Sequence, residues 1–250
     1  MWGTRNDINK DQVALYQEAG YNVLSLAYRL APETKLPGIV ADIQDALEWV
    51  YTEGLKQMNF DQQKVAVVGS SAGAYLALMT GTFPVKPAAI VSFYGYGDIL
   101  GDWYKEPSAH FNTMTSVPEV LAKQLIQPET IAESPIERRY AIYLYCRQQG
   151  KWLDYVAELN EGMSEDDLKA YCPVHLAETD FPPTLLLHGD ADQDVPYSES
   201  LKMKEKLTQL GVDNQLITIP GGEHSFDQKM EDPNVQDVFK QVLAFLNKQL

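Results

Sequence analysis

Residues 65–78 read VAVVGSSAGAYLAL: an apolar, β-branched run, then Gly-Ser-Ser-Ala-Gly, then an Ala/Leu-rich stretch without a breaker. The first part predicts a buried strand and the last a helix. Joining the two through five small residues demands a turn too sharp for bulky side chains. The stretch matches G-x-S-x-G in the strand–turn–helix setting that this motif requires. In that frame the exposed serine is Ser71, flanked by Gly69 and Gly73, whereas Ser70 has Val68 where the first glycine belongs. A hydroxyl at such a turn stands clear of the sheet. The Ala72 N–H and the helix N-terminus beside it favour a developing oxyanion.

A serine hydroxyl is inert near neutral pH without a base, and the base needs an acid to orient it. For a nucleophile at this turn the chain order is Ser, then Asp or Glu, then His. The chain has four histidines, His110, His175, His188 and His224. His224 lies in PGGEHSF, just past the last predicted strand, where a Gly-Gly loop can carry it to Ser71. His188 ends the preceding strand, before Gly189, and reads as a residue that shapes that turn; His110 is assigned no role. The acid belongs in the loop after PTLLLHG, where Asp190, Asp192 and Asp194 alternate. Their spacing resembles the start of a calcium loop, but Val195 stands where the turn glycine belongs and Leu201 where the bidentate glutamate belongs. Calcium is therefore rejected. Cys172 and His175, in CPVH, lack a second ligand pair, so no metal and no other cofactor is expected.

The surrounding pattern is α/β. Apolar runs at 21–28, 64–69, 88–95, 183–189 and 214–220 read as strands, and their near-continuous hydrophobicity suits a sheet covered on both faces. Residues 38–54 place Ile39, Ile43, Ala46, Leu47 and Val50 on one helical stripe. Residues 232–250 do the same with Val235, Val238, Phe239, Val242 and Leu246, with Asp232 as N-cap and Pro233 at the first helical position. Alternating strands and helices predict a doubly wound, mostly parallel sheet. Residues 98–180 hold helical patches and no convincing strand, so they read as a helical cap inserted into a core made of 1–97 and 181–250. There is no internal repeat and no low-complexity tract.

The formal net charge is -15. Such a surface repels phosphate backbones and anionic lipid, which argues against nucleic-acid and membrane-surface roles. No apolar run reaches the roughly 18 residues that a membrane span needs. Two cysteines, Cys146 and Cys172, cannot build a disulfide framework and fit a reducing cytoplasm.

These residues together resemble the α/β-hydrolase superfamily, and more narrowly the hormone-sensitive-lipase-like esterases. The resemblance rests on YRLAPE (28–33) followed by LPG, Asp42, Ala46 and Trp49, on GSSAGA where the family usually reads G-D-S-A-G-G, and on HGDADQDVP. The last is similar to the family's H-G-x-x-D-x-x-V-P, whose first spaced aspartate is the triad acid; that implies Asp192. The family's His-Gly-Gly-Gly loop, which supplies oxyanion-hole N–H groups, and the strands before it have no counterpart ahead of MWGTRND. In the family a third strand lies between the strands corresponding to 21–28 and 64–69. Its loss would leave backbone groups of a central strand unpaired, which makes self-association into a homo-oligomer an expectation.

The resemblance implies a serine hydrolase of small carboxylic esters, with Ser71 as nucleophile, His224 as base, Asp192 as acid and Ala72 N–H as oxyanion donor. Two other readings stay open: a prolyl-oligopeptidase-like peptidase, which shares the order of the three residues, and a truncated, inactive hydrolase fold that only binds. Tyr140, Tyr143, Tyr145, Trp152 and Tyr155 read as the core of the cap. Tyr94 and Tyr96, just past a strand's C-terminal end, are the expected pocket residues, because ligands of such sheets gather there.

Overall fold

Four of the five predicted strands form. They are β1 (Ala66–Ser70), β2 (Ala89–Phe93), β3 (Thr184–Gly189) and β4 (Asn214–Ile219), and they lie side by side in that order, all parallel. The computed structural model describes residues 1–58, 60–157 and 162–250. Every residue of β2 and β3 is buried, as unbroken apolar runs require when both faces are covered.

The two faces divide by alternation, because successive side chains of a strand point oppositely. Ala89, Val91, Phe93, Leu185 and Leu187 pack with Tyr16 of the Lys10–Glu18 helix and with Val235, Val238, Phe239, Val242, Phe245 and Leu246 of the Pro233–Gln249 helix. Ile90 and Leu186 pack with Ala77 and Leu78 of the Ala72–Thr80 helix and with Met203 and Leu207 of the Tyr197–Gln209 helix. The sheet is doubly wound. Each fully buried large apolar side chain contributes about 1.5–3 kcal/mol. The Pro233–Gln249 helix starts as the sequence predicts: the Asp232 side chain accepts from Asn234 N at 2.9 Å, with Pro233 in the first turn.

The fifth predicted strand does not form. Residues 21–28 have no strand assignment. A strand persists only where a neighbour accepts and donates its backbone hydrogen bonds, and no described strand lies beside this stretch. Its apolar residues serve packing instead. Tyr21 and Val23 sit against the sheet's core, and Tyr21 OH donates to Asn247 Oδ1 at 2.7 Å. The predicted 38–54 helix runs from Leu36 to Trp49 and passes into a π-helical turn, Val50–Gly54.

The chain divides into two compact units. The sheet-bearing unit comprises Asn9–Leu24, Gln44–Asp98 and Cys172–Leu250, and the other comprises Met1–Ile8, Ser25–Ile43 and Ile99–Tyr171. Residues 1–8 and 25–43 fall in this second, helical unit because their contacts are there. Gly3 bridges Ser134, Leu30 N donates to Ile131 O at 2.9 Å, and the Trp2 ring meets Tyr143 edge-on at 5.1 Å. Arg139 donates to both carboxylate oxygens of Glu33, with each side chain only 1% exposed. Among the described residues 98–180 there is no strand, and Tyr143, Tyr145 and Trp152 are buried, whereas Tyr140 is exposed. No helix of the described residues is long and apolar enough to cross a membrane.

Candidate active site

Ser71 is the single residue between β1 and the Ala72–Thr80 helix. Its φ of 53° and ψ of -119° lie outside the ordinary helical and extended regions, a strain of about 1–3 kcal/mol held by what surrounds it. Ser71 N donates to Phe93 O at 2.9 Å, tying the turn to β2. Space dictates Gly69, because a Cβ there would meet Gly73 O at 2.2 Å. Gly73 has open space where its own Cβ would point. The turn is thus made by the first glycine of the motif. Ala72, exposed, opens the helix, where N–H groups have no partner one turn back within the helix.

The other two residues come from the ends of β3 and β4. His224 Nε2 lies 3.1 Å from Ser71 Oγ, and His224 Nδ1 lies 2.7 Å from Asp192 Oδ2. The second oxygen, Asp192 Oδ1, accepts from Asp194 N at 2.8 Å and Val195 N at 3.0 Å. Burial alone would raise the pKa of this carboxyl, but hydrogen bonds from His188 and His224 outweigh it and hold it well below the usual carboxylate range. Asp192 is therefore an anion that fixes the imidazole with Nδ1–H toward itself and leaves Nε2 to face the serine. The three aspartates differ clearly. Asp194 approaches His224 only at Nε2, at 3.9 Å, and Asp190 accepts from Gly221 N at 2.6 Å, closing the loop that carries His224.

His188 does more than shape a turn. It is fully buried, with Nδ1 2.7 Å from Ser200 Oγ, Nε2 3.0 Å from Val195 O and 3.4 Å from Asp192 Oδ2. It braces the acid loop from beneath. The sequence carried one signal of this, a histidine inside an otherwise apolar strand, which must find polar partners when buried.

Tyr94, one of the expected pocket residues, is 2% exposed, with φ 41°. Its ring lies 4.6 Å from the His224 ring, and its hydroxyl donates inward to Asp227 Oδ1 at 2.5 Å. Burial, then the nearby Asp227 charge, push the phenol far above its ordinary value, so it stays a neutral donor. What it offers the site is the ring. Asp227, which sequence reasoning missed, is also buried, and Gln12 and Gln228 each donate to its Oδ2 at 2.9 Å. Tyr96 is buried and stacks on Tyr75 with centroids 5.0 Å apart. His110 and His175 lie outside this constellation: the His110 ring packs on Phe111, and His175 is exposed.

This chain is similar to several known proteins. It is 26% identical to the non-reducing polyketide synthase prhL of Penicillium brasilianum, over 96% of this chain but only 12% of the synthase. It thus spans about an eighth of that relative's length. Among solved structures, an alpha/beta hydrolase superfamily protein from Enterococcus faecalis superposes with a TM-score of 0.74 at 25% identity, covering 99% of this chain and 86% of that one. Esterase LipW from Mycobacterium marinum shares the fold, with a TM-score of 0.67 at 22% identity, covering 99% of this chain and 69% of that one. Residues 8–228 match the family described as the alpha/beta hydrolase fold, and the chain belongs to that family.

Proposed function

We propose that this chain hydrolyses small carboxylic esters through an acyl-enzyme on Ser71. One observation carries the reading: Ser71 Oγ, the His224 ring and Asp192 form an unbroken hydrogen-bonded line, with spacings of 3.1 and 2.7 Å. As Oγ attacks the ester carbonyl, His224 Nε2 takes its proton and Asp192 stabilises the imidazolium. The tetrahedral oxyanion forms against the Ala72 N–H. His224 then gives the proton to the departing alkoxide. A water repeats the sequence on the acyl-enzyme, releasing the acid and restoring Ser71. Tyr94 backs His224, and Tyr96 lies on the same stretch after β2, so we keep both as the pocket's wall. Residues 98–180 act in this reading as a helical insertion in the hydrolase core, supported by their lack of strands among the described residues. The esterase name of a structural neighbour points the same way, and two buried cysteines that form no disulfide suit a reducing compartment.

The test is turnover of 4-nitrophenyl acetate by the wild type, Ser71→Ala and Ser70→Ala, beside a prolyl anilide. The proposal expects ester turnover that Ser71→Ala abolishes and Ser70→Ala retains, with the anilide left intact. Loss in Ser70→Ala alone would overturn the assignment of the nucleophile. Faster cleavage of the anilide would move the activity to the peptidase reading, and no turnover at all would favour the binding one.

A further inference from the structure

Asp98 and Cys172 are the residues at which the chain leaves and re-enters the sheet-bearing unit, on either side of Ile99–Tyr171. The stem is closed by backbone, since Val174 N donates to Gly97 O at 3.1 Å. It is also closed by side chains: Cys172 Sγ donates to Asp98 Oδ1 at 3.9 Å, across 74 positions of sequence. His175, in the short Pro173–Leu176 helix that Cys172 caps, adds an imidazole. One ligand atom from each of Asp98, Cys172 and His175 lies within 4.8 Å of the other two. Cys172 is buried, Asp98 half-buried and His175 exposed, so the group is anchored at the thiol and open at the imidazole.

Local spacing gave only the Cys172 and His175 pair, one ligand short of a zinc site. The fold supplies the third. A thiolate, an imidazole and a carboxylate form a borderline-soft set that suits zinc and disfavours magnesium or calcium. The thiolate and carboxylate charges also neutralise a divalent ion. Lys202 competes for the carboxylate, but at its other oxygen, with Nζ 3.7 Å from Asp98 Oδ2 and 2.7 Å from Glu199 Oε1. Oδ1 is the oxygen beside Cys172. Tetrahedral zinc with bonds of about 2.0–2.3 Å needs its ligand atoms roughly 3.3–3.7 Å apart. The closure required is about 1 Å, within the reach of an exposed histidine that changes rotamer.

We propose that Asp98 Oδ1, Cys172 Sγ and His175 form a zinc site, with water as fourth ligand, that clasps the stem of the Ile99–Tyr171 excursion. On binding, the Zn–S bond replaces the Cys172 S–H bond and one proton leaves to solvent, with no change of oxidation state. The site is separate from Ser71, His224 and Asp192 and stands whether or not the ester chemistry does.

The test uses the full chain, stripped with a chelator and titrated with Co2+ as a spectroscopic probe. The expected result is one Co2+ per chain, with a thiolate-to-cobalt charge-transfer band and tetrahedral visible absorption, both discharged by one equivalent of Zn2+. Cys172→Ser should abolish the band and Cys146→Ser should leave it. His175→Ala, at an exposed position that does not threaten the fold, should weaken binding roughly tenfold or more and remove the zinc-dependent rise in Tm. A wild type without the band, a band that survives Cys172→Ser, or unchanged affinity in His175→Ala would each overturn the site.

Discussion

Asp192 and Asp194 sit two residues apart in one loop, yet the geometry gives them unequal parts. Asp192 meets His224 Nδ1 at 2.7 Å, while Asp194 lies 3.9 Å from Nε2, the nitrogen that faces Ser71. Asp192→Asn should lower kcat on a nitrophenyl ester by roughly 10³–10⁴-fold, because an amide at that place favours the wrong imidazole tautomer. Asp194→Asn should change it by about tenfold at most. The reverse order in steady-state kinetics would contradict the assignment. Tyr94 makes a different prediction. Tyr94→Phe keeps the ring beside His224 but leaves the buried Asp227 Oδ1 without its phenol donor, which should cost about 1–3 kcal/mol of stability. A lower urea midpoint with kcat per folded molecule preserved is the expected pair of results. An unchanged midpoint would mean that the hydroxyl is not holding Asp227.

Among the elements, the turn at Ser71 is the one most fully determined by local sequence. Gly69→Ala should unfold or strongly destabilise the protein, since its Cβ would lie 2.2 Å from Gly73 O, whereas Gly73→Ala should be tolerated. Thermal melts of the two variants check this, and equal losses would contradict it. The same locality explains what else was legible. β1 to β4, the Pro233–Gln249 helix and its cap follow from patterns a few residues long, and so do the strand–turn–helix at Ser71 and the loops that carry Asp192 and His224. Residues 21–28 carry a strand's composition without a described strand beside them, and composition says nothing of pairing. The polar partners of His188 and the place of Asp227 were not legible for a related reason. Their partners lie on other elements, at distances along the chain that no window spans. Among the described residues β1 pairs with β2 alone, and Val68 in it is 42% exposed. An open, apolar edge of this kind is a template for pairing with a second copy. Light scattering at rising concentration should show self-association that Val68→Lys reduces, and a wild type monomeric throughout would contradict it.

For the whole molecule, acid should be the weak side. Asp192, Glu33 and Asp42 all have carboxyls held below their ordinary values: burial alone would raise each, but hydrogen bonds from His188 and His224, from Arg139, and from Arg29 respectively outweigh it. A depressed folded value means the unfolded chain takes up protons first as pH falls. The stability these groups contribute is therefore present above the unfolded carboxylate range, about pH 4–5, and lost below it. Relief of a net charge of -15 works in the opposite direction, but over long, screened distances. Urea midpoints should hold between pH 7 and 5 and fall steadily toward pH 3; a midpoint that rises toward pH 3 would show charge relief to dominate. Whether Ser71 is a nucleophile driven by His224 is decided by treating the native protein with a fluorophosphonate and locating the adduct by peptide mass spectrometry. One adduct is expected, on Ser71, forming far more slowly in Asp192→Asn and not at all after unfolding. An adduct on Ser70 or on no serine, from protein that still hydrolyses an ester, would contradict it.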